Sequence, residues 1–238
     1  MHLMAPRVKR PDQEPDVPGT RRYHAPQRAY SAAQTRARIR AAASALFVEQ
    51  GYVATTIRDI ARTAGVGERT VYAAFPGKAD LFRHVLDVAT VGDEEPVAVA
   101  SRPEIQDAFR QTDPRIAISQ AIDYTAALFE RAGDLIMVTV QAADADPDMR
   151  AAADAGSRAT RQLWLTLARA LHDAGALRSG LTAQAAADIL YALASPHTYQ
   201  LLRRHCGWTT QRYRTWLLNA VTQQLLTRAL KGSWVSAR

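Results

Sequence analysis

The residues whose types and spacing point to a chemistry lie between Thr55 and Lys78, in TTIRDIARTAGVGERTVYAAFPGK. Ile57, Ile60 and Ala61 recur at helical spacing and face inward, and an apolar Val71 follows a break at Ala64-Gly65-Val66. Gly65 has no Cβ and suits the backbone of a sharp turn. Ile60, Ala61, Val66 and Val71 then pack two short helices at a steep angle. That is helix-turn-helix geometry, in which the second helix lies in a major groove. The second helix keeps Glu68, Arg69, Thr70, Tyr72 and Ala73 off its core side. So short a helix makes sense when its polar face meets something other than water. A guanidinium at position 69 can fork onto guanine O6 and N7. Arg58 and Lys78 can add affinity for phosphate but carry no sequence information. Two positions have an ordinary alternative: Tyr72 as a half-buried packing residue, and Arg58 as a solvated helix charge.

The charge distribution agrees with a polyanion partner. The chain has 238 residues and a formal net charge of +7. Residues 1–88 hold 14 Lys and Arg against 8 Asp and Glu, so nearly all the excess lies in the first third. Nucleic acid is the usual partner of such an excess, and a slightly basic solvated surface is the alternative.

Other chemistries are excluded by composition and spacing. Cys206 stands alone, which rules out an intramolecular disulfide and a cysteine-rich zinc site. His172, His197 and His205 are scattered, with no second ligand at metal-site spacing. Asp144, Asp146 and Asp148 alternate but lack the glycine and closing glutamate of a calcium loop. They read as the end of one helix and the acidic start of the next. Gly65-Val-Gly67 follows a helix rather than a strand, so it is no dinucleotide fingerprint. Phe75-Pro-Gly-Lys78 lacks the first glycine and the hydroxyl residue of a phosphate loop. No serine or cysteine has a base nearby in a nucleophile motif. The expectation is a non-enzyme with no cofactor and no metal. Met1–Arg28 lacks the apolar core of a secretory signal, and no stretch of about 18 apolar residues occurs. No membrane association and a cytoplasmic location are therefore expected.

The elements that position the motif are helical. Hydrophobic residues make up 47% of the chain, alanine is abundant, and β-branched and aromatic residues never gather in alternating runs. Residues 1–29, with five prolines and several arginines, read as a disordered basic arm. Arg21 and Arg22 could enter a minor groove or sit in a dispensable tail. Ser31-Ala-Ala-Gln34 reads as a capping box opening a helix over 31–50, with Ile39, Ala43, Leu46 and Phe47 inward and Gly51 just past its end. Thr56 caps the next helix, and Asp59 complements its dipole. The third helix starts near Gly67 or Glu68 and stops at Phe75-Pro76. A fourth begins about Lys78, with Leu81, Phe82, Val85 and Leu86 on one face. After a break at 92–103, further helices are predicted over 104–110, 114–131, 134–144, 147–174, 182–194, 196–206 and 210–230. The domain boundaries follow: an arm at 1–29, a helix-turn-helix domain at 30–88, and a larger helical domain at 89–238. Phe109, Phe129, Met137, Trp164, His172 and Tyr191 are the candidates for lining an effector pocket; each could equally be a packing residue. Leu190, Leu193, Leu201, Leu202, Trp216, Leu217, Ala220, Val221, Gln224 and Leu225 form stripes that serve either a two-fold interface or the subunit's own core.

The combination Gly51-Tyr52, Thr55-Thr56, Ile60-Ala61, Ala64-Gly65-Val66, Thr70-Val71-Tyr72, Phe75, Lys78 and Leu81-Phe82 resembles the TetR family of transcriptional regulators over roughly 31–88. The segment from Ser195 to Leu226 resembles that family's C-terminal helices more weakly. The resemblance implies an all-α homodimer, two reading heads on a roughly palindromic DNA operator, and a C-terminal domain that dimerises and holds a small-molecule effector. By position, it implies that Thr56 caps its helix and touches phosphate. Arg69, Thr70 and Ala73 would face base edges, Tyr72 would meet phosphate or a thymine methyl, and Lys78 would donate to phosphate. Gly67 stands where the family often has Ser or Thr, so it offers a weaker cap and no hydroxyl; Ala74 stands where it often has His. The implied function is a ligand-responsive repressor released by its effector. Two alternatives stay open: a DNA-binding protein without an effector, and a small-molecule-binding or enzymatic helical domain with degenerate DNA binding.

Overall fold

The computed structural model describes residues 25–92 and 102–231, except the side chains of residues 25, 26, 104, 109 and 231. Of the arm expected at 1–29, residues 1–24, including Arg21 and Arg22, lie outside the described residues, as does the Phe109 side chain, whereas residues 25–29 belong to α1. The described chain is helical from end to end. The first helices are α1 (Ala25–Ala54), α2 (Ile57–Ala64), α3 (Glu68–Ala74), α4 (Lys78–Val91) and α5 (Pro103–Arg110). There follow α6 (Pro114–Ala142), α7 (Pro147–Asp173), α8 (Ala183–Leu193), α9 (Pro196–Gln200), α10 (Thr210–Leu225) and α11 (Arg228–Lys231). A π-helical turn, Leu201–His205, continues α9. No helix among the described residues is long and apolar enough to cross a membrane.

Local signals set most boundaries. Thr182, Ser195 and Thr209 accept hydrogen bonds from the first turns of α8, α9 and α10. Asp146 caps α7, its carboxylate accepting from the backbone N–H groups of Asp148 (2.9 Å) and Met149 (3.1 Å). α1 breaks at Gly51, where φ is +80°.

Four expectations are corrected. Ser31 is not a helix cap: it lies inside α1, and its hydroxyl donates to the Gln27 carbonyl at 2.9 Å. Residues 114–142 form one helix, not two. Gly133 does not end it, because a glycine there lets Tyr199 pack against the backbone; a Cβ would lie 3.3 Å from the Tyr199 ring. α10 stops at Leu225 rather than near 230. There Leu226 pairs with Leu177 as an antiparallel bridge, through Arg178 N–H to the Leu225 carbonyl (2.8 Å) and Thr227 N–H to the Ala176 carbonyl (3.0 Å). The segment 196–206 is not a single α-helix but changes to π-helical pitch after Gln200.

Two hydrophobic cores organise the helices. The first joins Ile39, Phe47, Ile57, Ile60, Val71, Leu81, Phe82 and Val85 of α1–α4. It also takes in Leu135, Val138 and Ala142 from the end of α6 and Met149 from the start of α7. The second is built from α6, α7, α8 and α10, around residues such as Ile118, Ile122, Trp164, Leu167, Leu190, Tyr213 and Leu217. The long α6 helix thus serves both cores, and its C-terminal end belongs to the helix-turn-helix side.

Candidate nucleic-acid interface

The turn between α2 and α3 is built as its residues require. Gly65 takes the left-handed conformation (φ 65°, ψ 41°). Its N–H donates to the Arg62 carbonyl at 3.2 Å, and Val66 N–H donates to the Ala61 carbonyl at 3.0 Å. These bonds satisfy carbonyls that the end of α2 leaves open. Thr56 caps α2, accepting from Asp59 N–H at 3.1 Å, while its hydroxyl donates to the Asp59 carboxylate at 2.6 Å. Arg62 donates to the other carboxylate oxygen at 2.6 Å. The Thr56 hydroxyl, ahead of the Arg62 charge, holds the Asp59 carboxyl below its ordinary range.

α3 is inserted by the side chain of Val71, with Ala74 partly buried beside the same core, and is exposed on the rest. Val71 is its buried residue. Glu68, Arg69, Thr70, Tyr72 and Ala73 are exposed, and Tyr72 keeps 53% of its surface in contact with solvent. About half of the Tyr72 side chain is therefore covered, as its packing alternative requires, and the other half is open to solvent. Arg58 is exposed on α2. Gly67 precedes α3 in extended conformation with no side-chain cap, and a Cβ there would find only Thr70 Oγ1 at 4.0 Å.

Lys78 is placed differently from the exposed residues. Its ammonium donates to the Tyr52 carbonyl at 3.0 Å and the Thr55 carbonyl at 3.1 Å, and lies 4.3 Å from the centre of the Tyr52 ring. Two of its three donors therefore hold the corner between α1 and α2 against the start of α4. Burial lowers the Lys78 pKa, and the nearby Asp146 carboxylate acts in the opposite direction. The Tyr52 ring packs with Phe47 (5.8 Å between centroids) and Phe82 (5.4 Å). Its hydroxyl hydrogen-bonds to Asp146, and burial, followed by the charges of Asp146 and Asp148, raises its pKa to about 12. Thr55, fully buried, donates to the Gly51 carbonyl at 2.8 Å and contacts the Leu46 carbonyl at 3.2 Å. Sequence analysis missed this joint of Tyr52, Lys78 and Asp146. The one available signal was the excess of alternating aspartates at 144–148.

Of the six candidate effector residues, the Phe109 side chain lies outside the described residues, and the other five do not line one common pocket. Phe129 lines a cleft of about 240 Å³ with Tyr199 and Trp208. Met137 lines an adjoining one of about 320 Å³ with Val48 and Leu201, and the two clefts share Asp134, Gln200 and Arg204. Trp164 is buried in the second core, and its indole N–H has no hydrogen-bond partner among the described residues. Tyr191 bonds Ser157 at 2.7 Å, and His172 is exposed near the end of α7. The C-terminal stripes also divide. Leu190, Leu217, Val221 and Leu225 are buried. Leu201 is 56% exposed, and Trp216 and Ala220 face an open groove of about 750 Å³ beside Trp208.

Comparison with known proteins agrees with this geometry. Residues 39–85 match the family model of bacterial regulatory proteins, tetR family. The HTH-type transcriptional repressor BepR of Brucella suis is 26% identical over 200 residues, covering 82% of this chain and 93% of BepR. Among solved structures, NalD, the secondary repressor of the MexAB-OprM multidrug efflux pump in Pseudomonas aeruginosa, aligns with a TM-score of 0.62 at 24% identity, over 83% of this chain and 98% of NalD. A SmeT–triclosan complex aligns with a TM-score of 0.62 at 20% identity, over 83% and 94% of the two chains; SmeT is the repressor of the Stenotrophomonas maltophilia pump SmeDEF. Over residues 39–85 the helix-turn-helix segment of this chain is thus similar to that of the tetR family of bacterial regulatory proteins.

Proposed function

We propose that this chain is a ligand-responsive repressor that binds a roughly palindromic operator as a homodimer and releases it on binding a small molecule. The observation that carries the proposal is α3: one buried valine anchors it, and Arg69, Thr70, Tyr72 and Ala73 stand exposed on its outer side. Arg69 reads a guanine edge, Thr70 and Ala73 approach neighbouring bases, and Tyr72 meets phosphate or a thymine methyl. Arg58 and the N-terminal amides of α2 and α4 hold phosphate. Thr56 contributes mainly by capping, since its hydroxyl proton already goes to Asp59. Gly67 lets the backbone come close to the duplex without supplying a hydroxyl. Lys78 has one ammonium donor left for phosphate; its first role is to fix the corner from which α2 and α3 leave.

A palindromic operator requires two-fold symmetry. The members of the C-terminal stripes that stay out of the core, exposed Leu201 and half-buried Trp216 and Ala220, are the surface for a second copy. Release follows from the shared core, because the end of α6 and the start of α7 pack inside the reading head. A shift of either helix must then carry α1 and α4 with it. BepR, NalD and SmeT, described as repressors, support the sign of regulation, and the triclosan complex of SmeT supports a small-molecule effector.

The test is binding of the purified protein to its own upstream intergenic DNA by fluorescence anisotropy at several salt concentrations. The expected result is a Kd of about 10⁻⁸ M or tighter at physiological salt, poor competition by random DNA, and a loss of about tenfold to a hundredfold with Arg69→Ala plus Tyr72→Ala. Equal, weak and steeply salt-dependent binding of every sequence would refute the operator-reading role.

A further inference from the structure

We propose that the cleft between α6 and the turn joining α9 to α10 is a binding site for a small organic cation, of the quaternary ammonium or alkylguanidinium class, and that Arg203 occupies it in the free protein. Phe129, Tyr199 and Trp208 line the cleft together with the carboxylates of Glu130 and Asp134. Its volume, about 240 Å³, suits a ligand of few heavy atoms. Aromatic faces with carboxylates beside them are recognised partners of an organic cation, with or without hydrogen-bond donors.

The two carboxylates are not equivalent. Asp134 accepts from Arg204 at 3.0 Å and from the Gln200 amide, so its charge is matched. Glu130 accepts from the Thr210 hydroxyl at 3.1 Å, and among the described residues no cation pairs with it. Thr210 in turn lies 3.2 Å from the Tyr199 hydroxyl, which holds Glu130 at the edge of the aromatic wall. Two cations of its own, Arg203 and Arg204, already line the cleft, and Arg212 lies 4.4 Å from the centre of the Trp208 ring. The Arg203 guanidinium lies 5.9 Å from the Tyr199 ring centre and donates to the Trp208 carbonyl. Arg203 and Arg204 both sit in the π-helical turn. That uncommon pitch, often found at functional sites, sets one arginine over the ring and the next on Asp134. A free cation would displace an exposed, singly anchored Arg203 and gain the Glu130 charge.

A consequence for regulation rests on the proposed function above, whereas the binding does not. Asp134 is followed by Leu135, which is buried in the core of the reading head. A ligand that rearranges Arg204 and Gln200 on Asp134 would therefore act on the segment of α6 that holds α1 and α4.

The experiment is calorimetric titration of the full-length protein with tetramethylammonium chloride, with tert-butanol as an uncharged counterpart of similar shape and sodium chloride as the ionic-strength control. Saturable binding of tetramethylammonium and none of tert-butanol is expected. Arg203→Ala should tighten binding about fivefold, because it removes the internal competitor, and Glu130→Gln should weaken it about fivefold. Both side chains are on exposed residues, and thermal melts check that each variant folds; Arg203→Gln and Glu130→Ala replace any that does not. Absence of saturable binding, equal binding of tert-butanol, or weaker binding by Arg203→Ala would each overturn the site. Operator anisotropy with the same salt reports separately on the regulatory role. Binding without operator release would leave the site standing and remove its link to the reading head.

Discussion

Replacing Lys78 by Met separates two roles that the sequence could not tell apart. As a phosphate ligand alone, Lys78 would add affinity for DNA and nothing to stability. In the structure it donates to the Tyr52 and Thr55 carbonyls and lies over the Tyr52 ring. Hydrogen bonds from a charged donor contribute about 1.5–3 kcal/mol each, and a partly desolvated cation–π contact about 1 kcal/mol. Against this stands the desolvation of a half-buried ammonium, which Met, of similar length, does not suffer. A net loss of about 2–3 kcal/mol remains, mostly from two carbonyls left without this donor. For a chain of this size, that lowers Tm by roughly 5–10 °C. The assay is a thermal melt of both proteins, paired with the salt dependence of operator binding. If Lys78 also touches a phosphate, the slope of log K against log salt falls by about 0.9. An unchanged Tm in Lys78→Met would refute the joint: the ammonium would then only rest on those carbonyls between encounters with DNA.

Three further substitutions test the local geometry. Gly67→Ser should stabilise the protein by a few tenths of a kcal/mol, about the difference between glycine and serine as a cap. It should also tighten DNA binding, because the backbone is already extended and the Cβ has room; a looser complex in anisotropy would show that α3 needs the bare backbone. Gly65→Ala should destabilise by about 1 kcal/mol in chemical denaturation, purely through its left-handed backbone, since nothing lies within 4 Å of the added Cβ. Gly133→Ala gains about 1 kcal/mol of helix propensity but drives a methyl against Tyr199, itself wedged between Phe129 and Tyr213. The overpacking should win by about 1 kcal/mol, and a raised Tm would show that α9 can move away from α6.

The reading head was legible because its determinants are local. A threonine three residues before its acceptor of charge, a glycine at a left-handed turn and one inward valine are each decided within a few positions. Thr56, Gly65 and Val71 accordingly sit where their types required. The same logic misled at Ser31, where a hydroxyl that bonds back to Gln27 inside a helix is spelled like one that caps a helix. It misled again at Gly133, where the absent side chain serves Tyr199, a residue distant in sequence. The end of α10 depended on a bridge to Leu177, equally remote. The effector candidates were chosen by size on helical faces, and size does not say which faces converge. Phe129 and Met137 consequently line different clefts, and Trp164 lies in the core.

The division of labour along α6 then constrains how any signal can travel. Its first half packs with α7, α8 and α10, and its last turns supply Leu135, Val138 and Ala142 to the core that holds α1 and α4. Packed interiors do not deform continuously, so a displacement of this helix cannot be absorbed where the two cores meet. It must appear either at the start of α7, where Asp146 caps the helix and holds the Tyr52 hydroxyl, or in α4 through Leu81, Phe82 and Val85. Tyr52 and Lys78 lie on both routes: the tyrosine is bonded to the elbow before α7, and the lysine opens α4. A polar joint of this kind, tied by a few directional bonds beside an apolar core, resists sliding while leaving the helices intact. Tyr52 and Lys78 thus tie the end of α1 to the start of α4 and to the elbow before α7, outside α3 itself.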